Sequence, residues 1–345
     1  MKVDVKAVLL VMVGVIVLSG QGRAIAQVRS ATPEWVKIEQ AAEKQARVLL
    51  YLSLAGVDVR MKEAFRKSYP KIQLDIIRQP TGELISRLDA ERQASADGAD
   101  VVYHTDRAWF DHVSSQLVPA AGPAASLYKG SKNTFAGDRF FTAMILPLSL
   151  GYNTEVFSKL GVGAPTGWES LYNPKFSGGL VGLPESGSAV VTLQCYSKIA
   201  QTHGMELVEK IGKLKPRMYP GIGPTVQAVA AGANAVGLVS SVSPADLIKA
   251  GAPIKQIVPT NPSCYYGYFA GQVKWSKRPE AAQVLMNWLL SREGQEAVHG
   301  WGYSASPLEG IPGALRIKPG EQLMDGVLTP AQEEFGRRFN KAIAG

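Results

Sequence analysis

Short apolar runs alternate with helical spacing through the first third of the chain. Val48-Leu49-Leu50-Tyr51-Leu52 is an unbroken apolar run, as a parallel strand buried on both faces requires. Residues 59–68 follow with Met61, Ala64 and Phe65 three and four positions apart, which predicts a helix. Residues 72–77 predict a second strand. Thr81 is placed to cap a helix carrying Leu84, Ile85 and Leu88, its hydroxyl satisfying a free N–H. Asp100-Val101-Val102-Tyr103 predicts a third strand, with a helix beginning near Arg107. Strand and helix in strict alternation predict a parallel sheet with helices on both faces.

The rhythm breaks over 140–153, where 142–146 and 149–153 predict two consecutive extended pieces. It resumes with a strand at 180–183, the turn Pro184-Glu185-Ser186-Gly187-Ser188 and a helix reaching about Thr202. A helix over 226–231, a strand over 235–239, extended pieces over 254–258 and 265–270, and helices over 279–290 and 330–344 complete the pattern. Two αβ units joined by extended crossovers describe this order better than one continuous sheet. The fold class expected is therefore α/β.

The N-terminus reads differently. Lys2 and Lys6 precede an apolar run over 7–18, then the breakers Ser19, Gly20 and Gly22, then Ala24-Ile25-Ala26. That is the layout of a secretory signal peptide over 1–26, and the run is short for a membrane-spanning helix. An uncleaved anchor is the weaker alternative. Removal takes away Lys2, Lys6, Arg23 and Asp4, lowering the formal charge from +8 by two. Of 345 residues, 46% are apolar and 19% charged, which excludes a disordered chain. The basic excess (37 Lys and Arg against 29 Asp and Glu) contains no block of five, so no nucleic-acid partner is expected. Cys195 and Cys264 are permitted to pair in an oxidising compartment, but a chain of this size needs no staple, so two buried free thiols are expected.

Several stretches, in this order, resemble the periplasmic solute-binding proteins of ABC importers, in the class that includes the ferric-ion-binding proteins. They are 48–53, Ala99-Asp100-Val101-Val102-Tyr103, 179–188, Val226-Gln227-Ala228-Val229 through Leu238, and 261–298 with Arg292-Glu293-Gly294-Gln295-Glu296-Ala297. The resemblance implies a two-lobed periplasmic-binding-protein fold: two αβ lobes joined by crossover strands, with a ligand cleft between them. Lobe 1 would comprise 27–149 plus 265–310, and lobe 2 would comprise 150–264 plus 311–345. Together with the signal peptide it implies a periplasmic location and an inner-membrane ABC permease as partner; a monomer, no cofactor and no enzymatic activity are expected.

Open parallel sheets bind ligands beyond the carboxyl ends of their strands, where helix N-termini offer free N–H groups to an anion. Hydroxyls and glycines stand at several such turns: Ser53, Thr81-Gly82, Thr105, Ser186-Gly187-Ser188 and Ser240-Ser241. The triplet at 186–188 ranks first, because glycine permits close approach and both flanking hydroxyls can donate. Tyr103, His104, Tyr265 or Tyr266 would flank the rest of the ligand, and Arg78 and Arg107 could pair with its charge.

In the family it resembles, ferric ion is held by adjacent tyrosines, often with a His and a Glu. Here the tyrosine position reads Ser240-Ser241-Val242-Ser243, and the positions near Ala55 and Thr105 lack the His and the carboxylate. Neutral hydroxyls leave a trivalent charge uncompensated. Tyr265-Tyr266 is adjacent but lies in a strand, where neighbours face opposite ways, so at most one reaches the cleft. His104, Asp106, Asp111 and His112 come from a single segment, an unpromising origin for a metal site, and no metal is expected. The expected ligand is a small anion: a phosphonate, a carboxylate or a sugar phosphate. Ferric ion on non-standard ligands is the alternative. An exported hydrolase is a distant third, since no H-E-x-x-H, G-x-S-x-G or phosphate-binding loop occurs. Ser126-Leu127-Tyr128-Lys129 matches S-x-x-K without its companion K-T-G.

Overall fold

The computed structural model describes residues 32–54, 56–318 and 320–344. The signal peptide expected over 1–26 lies outside the described residues.

Helix α1 (Pro33–Gln45), capped by Thr32, leads into β1 (Arg47–Leu52), α2 (Asp58–Ser68), β2 (Gln73–Arg78), α3 (Thr81–Ala94), β3 (Val101–His104) and α4 (Arg107–His112). Short strands β4 (Leu117–Val118) and β5 (Thr134–Phe135) precede the long β6 (Phe140–Asn153). The second group runs α5 (Thr154–Leu160), β7 (Val181–Pro184), α6 (Val190–His203), α7 (Met205–Lys213), β8 (Arg217–Tyr219), α8 (Ile222–Ala230), β9 (Val236–Ser240), α9 (Ala245–Lys249) and β10 (Ile254–Ile257). Strand β11 (Tyr265–Val273), α10 (Pro279–Leu290), α11 (Arg292–His299) and α12 (Pro330–Ala344) end the chain.

The strands lie in the order β2-β1-β3-β11-β6-β9-β7-β8. At one side β1 pairs in parallel with β2 and β3; at the other, β7 pairs in parallel with β8 and β9. The antiparallel pair β11 and β6 joins them, β11 against β3 and β6 against β9. Two parallel αβ units are thus linked by crossover strands. All but one of the 14 residues of β6 are buried. The reading that split this segment into two pieces is corrected: the interruption is Pro147, which has no N–H to donate. It sits where the ladder passes from β11 to β9, and the next N–H, Leu148, bonds Cys264 O at 2.9 Å.

Alternation along the first parallel block decides which side chain faces where. Val48, Leu50, Leu52, Val101 and Tyr103 face one cluster, while Leu49, Tyr51 and Val102 face another with Leu84, Leu88, Trp109 and Phe110. Helix α12 lies on α6 and α7, with the rings of Tyr196 and Phe339 stacked 4.3 Å apart. Gly212 allows that approach, since a Cβ there would lie 2.1 Å from Ala342 O.

The two cysteines are not free thiols. Cys195 on α6 and Cys264, just before β11, form a disulfide across a sequence separation of 69 residues. The chain's size does not call for it; the fold brings the two Cα atoms within 5.5 Å. Lys198 Nζ donates to Ser263 O (2.7 Å) and Trp168 Nε1 to Pro262 O (2.8 Å), so the entry to β11 is fastened to the second unit at several points. Replacing both cysteines with serine is expected to destabilise the protein by about 4 kcal/mol, the loop-closure entropy of a bridge this long. The urea midpoint measures this, and an unchanged midpoint would contradict it.

Candidate functional site

The carboxyl ends of the parallel strands of both units meet the crossover pair, and hydroxyl groups collect there. Ser53 follows β1, Tyr103 is the penultimate residue of β3, and Ser240 ends β9. Tyr266 and Tyr268 project from β11, two residues apart and so on one face. The ring centroids of Tyr103 and Tyr268 are 5.8 Å apart, as are those of Tyr266 and Tyr268. Ser53 Oγ, Tyr103 Oη and Ser240 Oγ are shielded from solvent and have no hydrogen-bond partner among the described residues. Tyr128 Oη, near Tyr103, is in the same condition. Each such group costs about 1–3 kcal/mol when left unpaired, and native proteins seldom tolerate several together.

Burial holds all three phenols protonated. It raises Tyr103 and Tyr268 well above the ordinary tyrosine value. It raises Tyr266 to about 12, against the opposing pull of the Ser240 and Tyr268 hydroxyls. Ser53 exerts a similar pull on Tyr268, although neither serine Oγ makes a hydrogen bond of good geometry. The surface presented is neutral, and each hydroxyl can donate and accept.

At the carboxyl ends of the parallel strands, α2, α3, α6 and α8 follow β1, β2, β7 and β8, and none has a side-chain cap. Most of their first-turn N–H groups remain available to an anion, although Thr192 N of α6 already donates to Ala189 O (3.0 Å) and Pro224 of α8 has no N–H. Thr192, in the first turn of α6, is fully buried with Oγ1 unpartnered. Gly56 (φ +85°) lets the loop after β1 pass the turn after β9, a Cβ at that point lying 3.3 Å from Val242 O. Loops at the carboxyl ends of the two units therefore face each other directly. Arg78 ends β2 beside Leu52, is exposed and makes no ion pair among the described residues. Arg107 is committed elsewhere, to Asp111 at 3.2 Å and over the Phe135 ring at 4.0 Å.

The expected site residues divide accordingly. Ser53, Ser240 and Tyr266 come together; Tyr265 points the other way, packed with Ile145 and Ala305. Ser241 Oγ donates to Tyr303 O at 2.5 Å. Thr105 is buried after β3, its carbonyl against Gly326. Thr81 does not cap α3: Pro80, with extended backbone, holds that position, and Thr81 is already helical and half-buried, with Gly82 exposed. In the triplet ranked first, Gly187 is exposed and Ser188 half-buried, while Ser186 Oγ donates to Asn340 Oδ1 of α12 at 2.7 Å. Ser186→Ala would therefore report partly on the docking of that helix.

His104 does not face the cluster. One residue beyond Tyr103 in the strand, it must point to the opposite face. Its ring lies 5.0 Å from Trp109 and 4.5 Å from Phe110, with Nδ1 accepting the Asp106 N–H. Asp111 and His112 are exposed, and among the described residues no three His, Cys, Asp or Glu side chains gather as a metal site. Tyr268, Tyr128 and Thr192 went unsingled in the sequence. For Tyr268 the signal was present: it shares strand parity with Tyr266.

Residues 54–296 match the family of bacterial extracellular solute-binding proteins. The chain belongs to that family. Similar solved structures of such proteins include the substrate binding protein of an ABC transporter from Agrobacterium tumefaciens, 14% identical, with a TM-score of 0.72, covering 88% of this chain and 97% of that one. The periplasmic binding protein AfuA from Actinobacillus pleuropneumoniae, solved with exogenous fructose-6-phosphate bound, is 20% identical at a TM-score of 0.62, covering 86% and 96%. Iron-bound HitA from Pseudomonas aeruginosa is 20% identical at 0.60, covering 86% and 98%. Such identities establish the fold, which is the two-lobed periplasmic-binding-protein fold. Comparison with the curated proteins returned no match. For this solute-binding protein, family membership implies a small-solute ligand and an ABC permease as partner, and binding rather than catalysis.

Burial depresses His104 to about 3 and His299 to about 4, from an ordinary 6.5. An unfolded chain binds these protons first, so their contribution to stability is complete above pH 6.5 and declines as pH falls towards the folded values. His104→Phe is expected to remove up to about 1.4 kcal/mol per pH unit of that decline. Urea titrations between pH 6.5 and 4 measure it, and an identical slope in the variant would contradict the assignment.

Proposed function

We propose that this protein is the periplasmic component of an ABC importer and captures a small anionic solute, of phosphonate, carboxylate or sugar-phosphate type, by closure of its two lobes. The lobes would be 27–149 plus 265–310 and 150–264 plus 311–345, exported by the signal peptide at 1–26 and acting as a monomer. The observation that carries this reading is the set of four uncapped helices, α2, α3, α6 and α8, following parallel strands of both units. Their free N–H groups and dipoles favour an anion, and Arg78 supplies a full positive charge at the same end of β2. Solute touching both lobes stabilises the closed form selectively, and that difference in affinity drives the population shift. The closed form would then dock on the permease.

A second reading rests on the three clustered phenols. Tyr103, Tyr266 and Tyr268 could together ligate ferric ion as phenolates. Against it stand their raised pKa values, the lack among the described residues of any gathering of three His, Cys, Asp or Glu side chains, and the serines at 240, 241 and 243.

A thermal-shift screen of phosphonates, carboxylates, sulfonates, sugar phosphates and ferric salts tests both. An anion at about a hundred times its Kd should add about 2.7 kcal/mol and raise the melting temperature by a few degrees. It should also shrink the radius of gyration in solution scattering. Arg78→Ala should weaken that anion severalfold. A stabilising ferric salt with a tyrosinate-to-iron absorption band would replace the anion reading with the second. No stabilisation by any compound would overturn both.

A further inference from the structure

The helix N-termini account for an anionic group but not for the hydroxyl cluster beside them. Ser53, Tyr103, Tyr266, Tyr268 and Ser240 present five hydroxyls from four elements of both units, three of them on aromatic rings whose neighbouring centroids lie 5.8 Å apart. Among the described residues no ion pair or hydrogen bond joins a charged side chain to any of the three phenols, and burial is the largest influence on each. Three of the five hydroxyl oxygens are buried without a partner among the described residues.

A wall of this composition cannot neutralise a charge. It can pair with groups that, like itself, both donate and accept, and its ring faces can cover C–H bonds between those groups. We propose that the body of the solute is a polyol: a hydroxyl-bearing carbon chain or ring attached to the anionic group, its hydroxyls paired with Ser53, Tyr103, Tyr268 and Ser240. This rests on the anionic-solute reading above and narrows it. Simple alkylphosphonates and unsubstituted carboxylates would leave the buried hydroxyls unpaired, and a site built around such groups rejects a ligand that cannot satisfy them. The cluster would thus set specificity, while the helix ends supply much of the affinity.

Calorimetric titration with matched probes tests this. Glucitol 6-phosphate, fructose 6-phosphate and ribose 5-phosphate carry hydroxyls; n-hexyl phosphate carries the same anionic group without them, and inorganic phosphate is the group alone. At least one hydroxylated probe should bind more than about tenfold tighter than n-hexyl phosphate, two or more hydrogen bonds being at stake. Tyr268→Phe and Ser240→Ala should each narrow that ratio severalfold. Tyr103→Phe should narrow it too, and removal of an unpartnered hydroxyl should leave the ligand-free melting temperature unchanged or higher. Equal or tighter binding of n-hexyl phosphate overturns the polyol assignment and leaves the anion reading standing. Variants that keep the full ratio also overturn it, and reduce the cluster to a packed interior feature. Failure of every phosphate, with a carboxylate or sulfonate bound instead, requires the same comparison between hydroxylated and plain carboxylates or sulfonates. Indifference there overturns the inference.

Discussion

The chain crosses between two parallel sheets through one antiparallel pair, β6 and β11, and this pairing constrains everything else. Almost every residue of both strands is buried, and their backbone groups are paired with each other and with β3 and β9 on either side. Polar backbone carried through an interior without such pairing would cost several kcal/mol. The crossing point, at Pro147 and Leu148 against Cys264 and Tyr265, therefore lies buried where the chain passes between its two units. The disulfide and the bond from Lys198 to Ser263 fasten this point to α6. The middle of α6 and the entry to the tyrosine-bearing strand β11 are thereby tied together.

A ligand site on the crossover strand, as proposed, would have a chemical consequence. Tyr266 and Tyr268 stand on the crossover strand β11, and Ser53 and Ser240 approach them from opposite units. A solute bonded to all of them touches both lobes and the connector together, which is the arrangement that lets binding energy favour one interlobe geometry. The same burial that leaves these hydroxyls short of partners keeps the phenols neutral. Charge is left to the helix ends and Arg78 at the rim, where solvation costs less.

The alternation of apolar runs and helical spacing made β1 through α4 legible, because buried parallel strands are written as continuous apolar stretches. Strand β6 was harder to read, since a proline inside a run signals a break unless the handover between partner strands is known. Helix α1 was hidden by its many polar residues, only Trp35 and Ala42 being buried. Helix α7, with Leu207, Val208 and Ile211 inward, carries a readable stripe but stands so close behind α6 that the two merge in sequence. The cysteine pair was illegible for a different reason: a separation of 69 residues says nothing about distance in space. At the site, strand parity separated Tyr265 from Tyr266 correctly; the same rule applied to β3 would have chosen Tyr103 over His104. Thr81 and Ser186 show the limit of hydroxyl-at-a-turn reasoning, one displaced from its cap by Pro80 and the other engaged by Asn340 on a helix 154 residues away.

Pulsed electron-spin distance measurement between labels at Lys67→Cys on α2 and Glu209→Cys on α7 reads the central claim most directly. Both positions are exposed, and the native cysteines are bonded to each other and so closed to a thiol label. Two lobes closing over a shared solute predict a distance that shortens by several ångströms and narrows in distribution when a stabilising solute is added. A distance unchanged by any solute that raises the melting temperature would contradict closure as the mechanism.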